Sequence, residues 1–295
     1  MKIATFRIDG QRKVGIIDEQ AATITAFDLP EDQTRHGIQP IIELQVAGSE
    51  PALTGSPVSL DEITLEAPLP RPRRNVFCVG KNYYDHAQEF SNSGFDSSAA
   101  AVPKHPIVFS KVPESVCNPG GFIEYDPEVS SAIDYEVELA VIIGKPGRGI
   151  SAQNALDHVW GYSIINDVTA RDLQARYSQW HIGKSQDSFC PMGPVAVARD
   201  HIDLADTGLR TWVNDELRQD SNTGLLIFDV PTIIKTISEG LTLLPGDVIA
   251  TGTPAGVGIG FKPPRYLADG DVVRCEIDGI GRLENTVKRR DSRAN

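Results

Sequence analysis

Cysteine is scarce. Cys78, Cys117, Cys190 and Cys275 are the only four in 295 residues, and they are scattered without a CxxC pair. That spacing argues against a disulfide framework and suits free, buried thiols in a reducing compartment. Basic charge is short as well. With 28 Lys and Arg against 40 Asp and Glu, the chain carries a formal charge of −12. A field of that sign repels phosphate backbones and anionic lipid, which removes nucleic acid as a partner. Long apolar runs are missing, since no stretch approaches the roughly eighteen apolar residues a membrane span requires. The N-terminus, MKIATFRIDGQRKVGI, alternates apolar and polar residues around Asp9-Gly10, the pattern of a hairpin rather than a signal peptide. A cytoplasmic location is the expectation.

What remains is a chain with 40% hydrophobic residues, enough for a substantial core. Residues 1–70 show short strands at 2–8, 13–17 and 63–65 with a weak helical stretch at 41–46, and read as a small, β-rich accessory domain. The proline-rich, basic segment Pro68–Arg74 cannot continue a helix or a central strand and reads as a linker. From there to residue 295 the chain is mostly strand, expected at 75–79, 107–109, 135–143, 162–166, 195–198, 209–213, 247–251 and 272–277. Helices are expected at 151–159 behind a serine cap, at 169–178 behind a threonine, and at 231–238, where proline sits in the first turn after Asp229. Irregularly spaced helices among many strands predict an α+β, mixed-β architecture.

Three carboxylates stand out. In Tyr135-Glu136-Val137-Glu138-Leu139 the period of two sends both glutamates to one face. Two buried like charges need a cation, whereas a half-exposed strand could carry them as a solvated face. The apolar run ending in Ile164-Ile165 then stops at Asn166-Asp167, placing a third carboxylate at a strand end. Oxygen donors without His or Cys nearby in sequence suit a hard divalent cation and disfavour zinc. Beyond Asp167, Arg171 and Gln174 fall on one side of the expected helix, where they could hold a carboxylate and a carbonyl oxygen. Lys184, in the polar segment HIGKS, could neutralise part of the acidic cluster. Upstream, His86 and Glu89 share a helix face and form a base with its orienting carboxylate. Each of these polar pairs could also be an ordinary solvated face. The small and polar residues 91–102 that follow read as a lid. The glycine-rich TGTPAGVGIG at 251–260 lacks the spacing of a phosphate loop and reads as a tight turn that brings backbone close to a ligand or metal.

Taken in order, GKNYYDHAQEF, DYEVELAVIIG, GYSIINDVTARDLQ, GKSQDSFCPMGP, WVNDELRQ and GDVIATGTPAGVG resemble the fumarylacetoacetate hydrolase family over roughly residues 75–287. The resemblance implies a mixed β-roll, usually a homodimer, with Mg²⁺ held by Glu136, Glu138 and Asp167 and with Mn²⁺ or Ca²⁺ as substitutes. It implies substrate contacts from Arg171, Gln174, Thr253 and Tyr83, and catalytic roles for Lys184 and for the lid dyad His86–Glu89. Two departures are Gln186, where an aromatic residue is common, and Asp215, where glycine is usual. The leading expectation is hydrolysis of a C–C bond in a small 2,4-dioxo acid, as in aromatic catabolism. An oxaloacetate-type decarboxylase, an isomerase of the 2-hydroxyhepta-2,4-diene-1,7-dioate type and a non-catalytic binding module are the alternatives.

Overall fold

In the computed structural model, residues 1–91, 102–177 and 179–290 are described. The lid expected at 91–102 therefore lies almost wholly outside them. In chain order the strands are β1 (Lys2–Ile8), β2 (Gln11–Asp18), β3 (Thr23–Phe27), β4 (Leu53–Ser59), β5 (Thr64–Glu66), β6 (Val76–Gly80) and β7 (Ile107–Lys111). They continue with β8 (Val116–Cys117), β9 (Phe122–Tyr125), β10 (Ile133–Asp134), β11 (Val137–Ile143), β12 (Val159–Asn166), β13 (Thr169–Ala170) and β14 (Cys190–Ala198). The last five are β15 (Gly208–Val213), β16 (Glu216–Asn222), β17 (Val248–Ala250), β18 (Val272–Ile277) and β19 (Gly281–Arg289). The α-helices are short: α1 (Glu31–Thr34), α2 (Gln39–Val46), α3 (Tyr84–Ser91), α4 (Arg171–Arg176), α5 (His181–Lys184) and α6 (Val230–Ser238). The fold is sheet-rich α+β, as expected.

The main sheet has 12 strands and runs β4-β3-β2-β1-β14-β12-β11-β17-β6-β7, with β5 on β1 and β8 on β14. The N-terminal strands join it where Lys2 pairs with Val197 and Ile3 with Ala196. A second sheet, β16-β15-β18-β19-β9, packs against it. Every residue of β11 is buried, the mark of a strand covered on both faces. Val137, Leu139, Val141 and Ile143 face one apolar cluster shared with Leu209, Val273 and Ile277 of the second sheet. Ala140 and Ile142 face another, shared with Ile3, Ile41 and Ile42. Each such fully buried aliphatic side chain contributes about 1.5–3 kcal/mol. This alternation decides the direction of Glu136 and Glu138, which extend the row of Ala140 and Ile142.

Three local expectations change. The segment behind Ser151 is a 3-10 helix over Ala152–His158 without a side-chain cap. Thr169 and Ala170 pair with Asp134 and Ile133 instead of starting a helix, so the helix begins only at Arg171. Lys184, in a polar segment where no clear helix is expected, ends the short helix α5. Asp229 does cap α6, accepting a hydrogen bond from Thr232 N at 2.9 Å. All four cysteines are free and buried. Among the described residues no helix is long and apolar enough to cross a membrane.

The first sheet edge has its own ionic clamp. Glu66, nearly buried, accepts hydrogen bonds from Arg7 at 2.6 Å and from Arg12. Burial alone would raise its pKa, but the two guanidinium hydrogen bonds outweigh it and hold the carboxyl below its usual value. A depressed folded pKa contributes stability that is complete above the ordinary carboxylate range and is lost as pH falls through the lowered value. Replacing Glu66 with Gln is expected to cost about 1–2 kcal/mol near neutrality. Urea unfolding of E66Q and the parent should converge as the pH is lowered below that range, and a constant difference would contradict the clamp.

Candidate active site

Register builds the acidic cluster. Pairing of β11 with β12 sets Val137 opposite Asn166 and Glu138 opposite Ile165. Asp167 N then donates to Glu136 O at 2.8 Å, and Glu136 N donates to Asn166 Oδ1 at 2.9 Å. One carboxylate oxygen from each of Glu136, Glu138 and Asp167 comes within 4.8 Å of the others, with all three residues buried. The solvated-face reading of the two glutamates does not hold. They are 4% and 1% exposed.

Cations surround the cluster unevenly. Lys184 Nζ donates to Glu136 Oε2 and to Asp167 Oδ2, each at 2.8 Å. Lys111 Nζ donates to Asp167 Oδ1 at 2.6 Å and to Val168 O at 3.0 Å. Burial would lower the Lys184 pKa, but Asp167 and Glu136 raise it and keep the ammonium charged. Burial would raise Glu136, but Lys184 and Arg171 hold it below its usual value. Glu138 fares differently. Burial, then the negative charges of Asp167 and Glu136, push its carboxyl well above the usual range, while Gly252 N donates to it at 2.7 Å. Converging, dry, oxygen-only donors with one carboxylate poorly compensated fit a hard divalent cation.

Arg171, at the first position of α4, is fully buried. Its Nε donates to Asp134 Oδ2 at 2.8 Å, and its Nη1 lies 2.7 Å from Glu136 Oε1 and donates to Gln174 Oε1 at 3.1 Å. Burial would depress its pKa, but Asp134 and Glu136 raise it further. Its Nη2 is buried without a hydrogen-bond partner among the described residues, a donor available to an anionic ligand. Asp134 is itself fixed by Gly258 N at 2.6 Å and Ile259 N at 3.0 Å.

His86 and Glu89 lie together on α3, with Nδ1 3.3 Å from Glu89 Oε2. Glu89 also accepts from Gly256 N at 3.1 Å. The close approach depends on glycine. A Cβ on Gly260 would collide with the Glu89 carboxylate, and one on Gly256, at φ +102°, with Arg218 O. The glycine-rich segment thus brings backbone amides to the carboxylates of Glu138, Glu89 and Asp134.

Several of these groups open on one cavity, with Asp167 and Glu89 behind its lining. It is lined by His86, Glu136, Glu138, Arg171, Gln174, Lys184 and Thr253, and walled by Phe90, Phe109 and Trp180. Tyr83 is not on it. Its buried hydroxyl has no partner among the described residues, and the residue lines a different pocket with Asp220, Ser221 and Pro254. Gln186 is likewise not among the residues lining the cavity. Asp215 and Asn214 are both left-handed, at φ +66° and +49°, in the two-residue turn joining β15 and β16. Lys111 and Asp134 were missed by sequence reasoning. Asp134 carried a signal, being two residues before Glu136 in the same alternation, whereas Lys111 lies just beyond the strand expected at 107–109.

Known proteins share this chain's pattern. The family signature described as the fumarylacetoacetate (FAA) hydrolase C-terminal domain matches residues 75–288. Oxaloacetate tautomerase YisK of Bacillus subtilis (strain 168) is 50% identical over 230 residues, 78% of this chain and 74% of that protein. The mitochondrial oxaloacetate tautomerase FAHD2A of Homo sapiens is 41% identical over 269 residues, covering 90% and 82%. Among solved structures, a fumarylacetoacetate hydrolase from psychrophilic Exiguobacterium antarcticum superposes with a TM-score of 0.82 at 44% identity, covering 98% of this chain and 100% of that one. A 2-hydroxyhepta-2,4-diene-1,7-dioate isomerase from Mycobacterium marinum gives 0.76 at 34%, covering 99% and 100%. With its ordered motifs, its sheet-rich α+β fold and its buried acidic triad, this chain belongs to the fumarylacetoacetate hydrolase family.

Proposed function

We propose that the protein interconverts the keto and enol forms of a small 2-oxo diacid of the oxaloacetate class. The observation that carries this reading is the meeting, on one cavity, of Glu136 and Glu138 with Asp167 buried behind them, an imidazole backed by a carboxylate, and Arg171 Nη2, which has no hydrogen-bond partner among the described residues. The similarity to oxaloacetate tautomerases supports it.

The reaction moves one proton between the C2 oxygen and C3, exchanging an O–H for a C–H bond while the double bond shifts between C2–O and C2–C3. With Nδ1 turned to Glu89, His86 presents Nε2 to the cavity, the nitrogen that would hold the proton between its two positions. Arg171 Nη2 and the Gln174 amide would orient a carboxylate and thereby the plane of the C2–C3 bond. Lys184, already charged and spending two of its three N–H bonds on Glu136 and Asp167, can direct the third at the C2 oxygen. Phe90, Phe109 and Trp180 would keep bulk water from the proton in transit. A Mg²⁺ ion held by Glu136, Glu138 and Asp167 would supply positive charge to stabilise the enolate.

Hydrolysis of a 2,4-dioxo acid is the second reading, because the same His86–Glu89 pair could activate water; decarboxylation of oxaloacetate is a third that needs no such base. Product analysis separates them. With Mg²⁺, relaxation of freshly dissolved enol-oxaloacetate should be accelerated over the buffer rate, while acetylpyruvate cleavage and pyruvate release from oxaloacetate run at least ~10²-fold slower in kcat/KM. Faster acetylpyruvate cleavage would overturn the proposal in favour of hydrolysis.

A further inference from the structure

Gln219 is the one fully buried residue of β16, an edge strand otherwise exposed or half-buried. Its amide is saturated. Thr211 Oγ1 and Val137 N donate to Oε1 at 2.8 and 3.2 Å, and Nε2 donates to Thr253 Oγ1 and to Pro254 O, each at 2.8 Å. The orientation of that amide is not free to flip, since a backbone N–H can only donate and a carbonyl can only accept. Two consequences follow from the bond directions. Gln219 ties Val137, which lies between Glu136 and Glu138, to the loop carrying Thr253. It also makes Thr253 Oγ1 an acceptor on its inner side. The hydroxyl hydrogen of Thr253 then has no acceptor among the described residues, and Thr253 lines the cavity beside Glu136 and Glu138.

We propose that Gln219 is a positioning residue that aims the Thr253 O–H into the cavity, as a ready donor to the carboxylate of a bound 2-oxo acid. The inference rests on the reading above that such an acid binds here. A hydroxyl without this partner could turn its hydrogen to a neighbouring backbone carbonyl, and its alignment would have to be recovered each time substrate binds. With Gln219 present the alignment is already made.

The test is a double-mutant cycle read by calorimetric binding of oxalate, an unreactive two-carboxylate probe, to the full chain with saturating Mg²⁺. Thr253→Val should weaken oxalate by ~10-fold or more, the usual effect of one hydrogen bond to a charged group. Thr253→Ser, which keeps the hydroxyl, should stay within ~3-fold of the parent. Gln219→Met should weaken oxalate by ~3–10-fold, and the double variant should bind no worse than Thr253→Val alone, because Gln219 acts through that hydroxyl. Mg²⁺ affinity should be unchanged in Gln219→Met, whereas a residue that merely staples Val137 would lower it. Should Gln219→Met fail to fold, Gln219→Asn, polar but one methylene too short for Thr253, replaces it with the same expectation. Multiplying losses in the double variant, or an unaltered oxalate affinity in the Gln219 variant, would overturn the proposal. Oxalate binding without oxaloacetate tautomerisation would overturn the proposed reaction alone. No oxalate binding by the parent would overturn both.

Discussion

Asp167→Asn should abolish turnover, by ~10³-fold or more, because it removes a charge on which three functions converge. Asp167 is fully buried, its two oxygens are engaged by Lys111 at 2.6 Å and Lys184 at 2.8 Å, and it completes the acidic triad. An amide at this place would offer N–H hydrogens to an ammonium group or to a divalent ion. The variant should therefore lose divalent-cation affinity together with activity, and breaking two buried ion pairs should cost about 3–5 kcal/mol of stability. Glu138→Gln separates the two effects. Glu138 accepts from the Gly252 amide and, alone of the three, forms no ion pair with a lysine or arginine among the described residues, so E138Q should remain near the parent in thermal melting while losing Mg²⁺ binding by calorimetry. Full activity of D167N, or activity surviving exhaustive chelation, would remove the metal from the chemistry altogether.

His86→Ala should lower kcat by ~10²-fold or more, the usual contribution of a general base, with Mg²⁺ affinity unchanged. The imidazole lines the cavity, and its hydrogen-bond partner among the described residues is Glu89 rather than a member of the triad, so the three carboxylates keep their places when it is removed. Glu89→Gln should do less, about tenfold, since it weakens the orientation of the ring and the contact with Gly256 N without deleting the base. Measured for enol-oxaloacetate relaxation, an unchanged kcat in H86A would exclude His86 as the proton carrier. A decarboxylase that relies on the ion and the cations alone would show that insensitivity.

Much of this site was legible along the chain because its parts obey local rules. The alternation of Glu136 and Glu138 about Val137 is a property of any strand, and the i, i+3 spacing of His86 and Glu89 belongs to any helix. Arg171 and Gln174 proved to be hydrogen-bonded to each other, as their spacing within one helical turn allows. Other expectations failed where a distant partner overrode local preference. Thr169 has the look of a helix cap, yet β10 captured it into a two-residue strand, and its hydroxyl donates to Asp167 O instead. The strands 23–27, 53–59, 122–125, 216–222 and 281–289 were not expected from the pattern. Several carry glycine, proline, asparagine or charge, and they are strands because a neighbour supplies the hydrogen bonds. Lys111 and Gln219 are the functional counterpart. Each is an unremarkable polar residue in sequence, and each acquires meaning from distant atoms: 56 residues away for Lys111, and 82 and 34 residues away for Gln219.

The sequence by itself determined that Glu136 pairs with Glu138 and His86 with Glu89, because these reside in residue types at short, regular separations; the family and the place of Asp167 came from the order of whole motifs along the chain, and the sheet-rich α+β class from the pattern of many strands among few helices. Only the tertiary structure decided that the three carboxylates are buried together, that Lys111 and Lys184 divide their charge so that Glu138 is left the least compensated, that Arg171 keeps one donor unspent and that Tyr83 faces a different pocket. The physical reason is that charge compensation and hydrogen-bond saturation are set by distances between segments far apart in the chain, and such distances come into existence only when β11, β12 and the glycine-rich loop pack together.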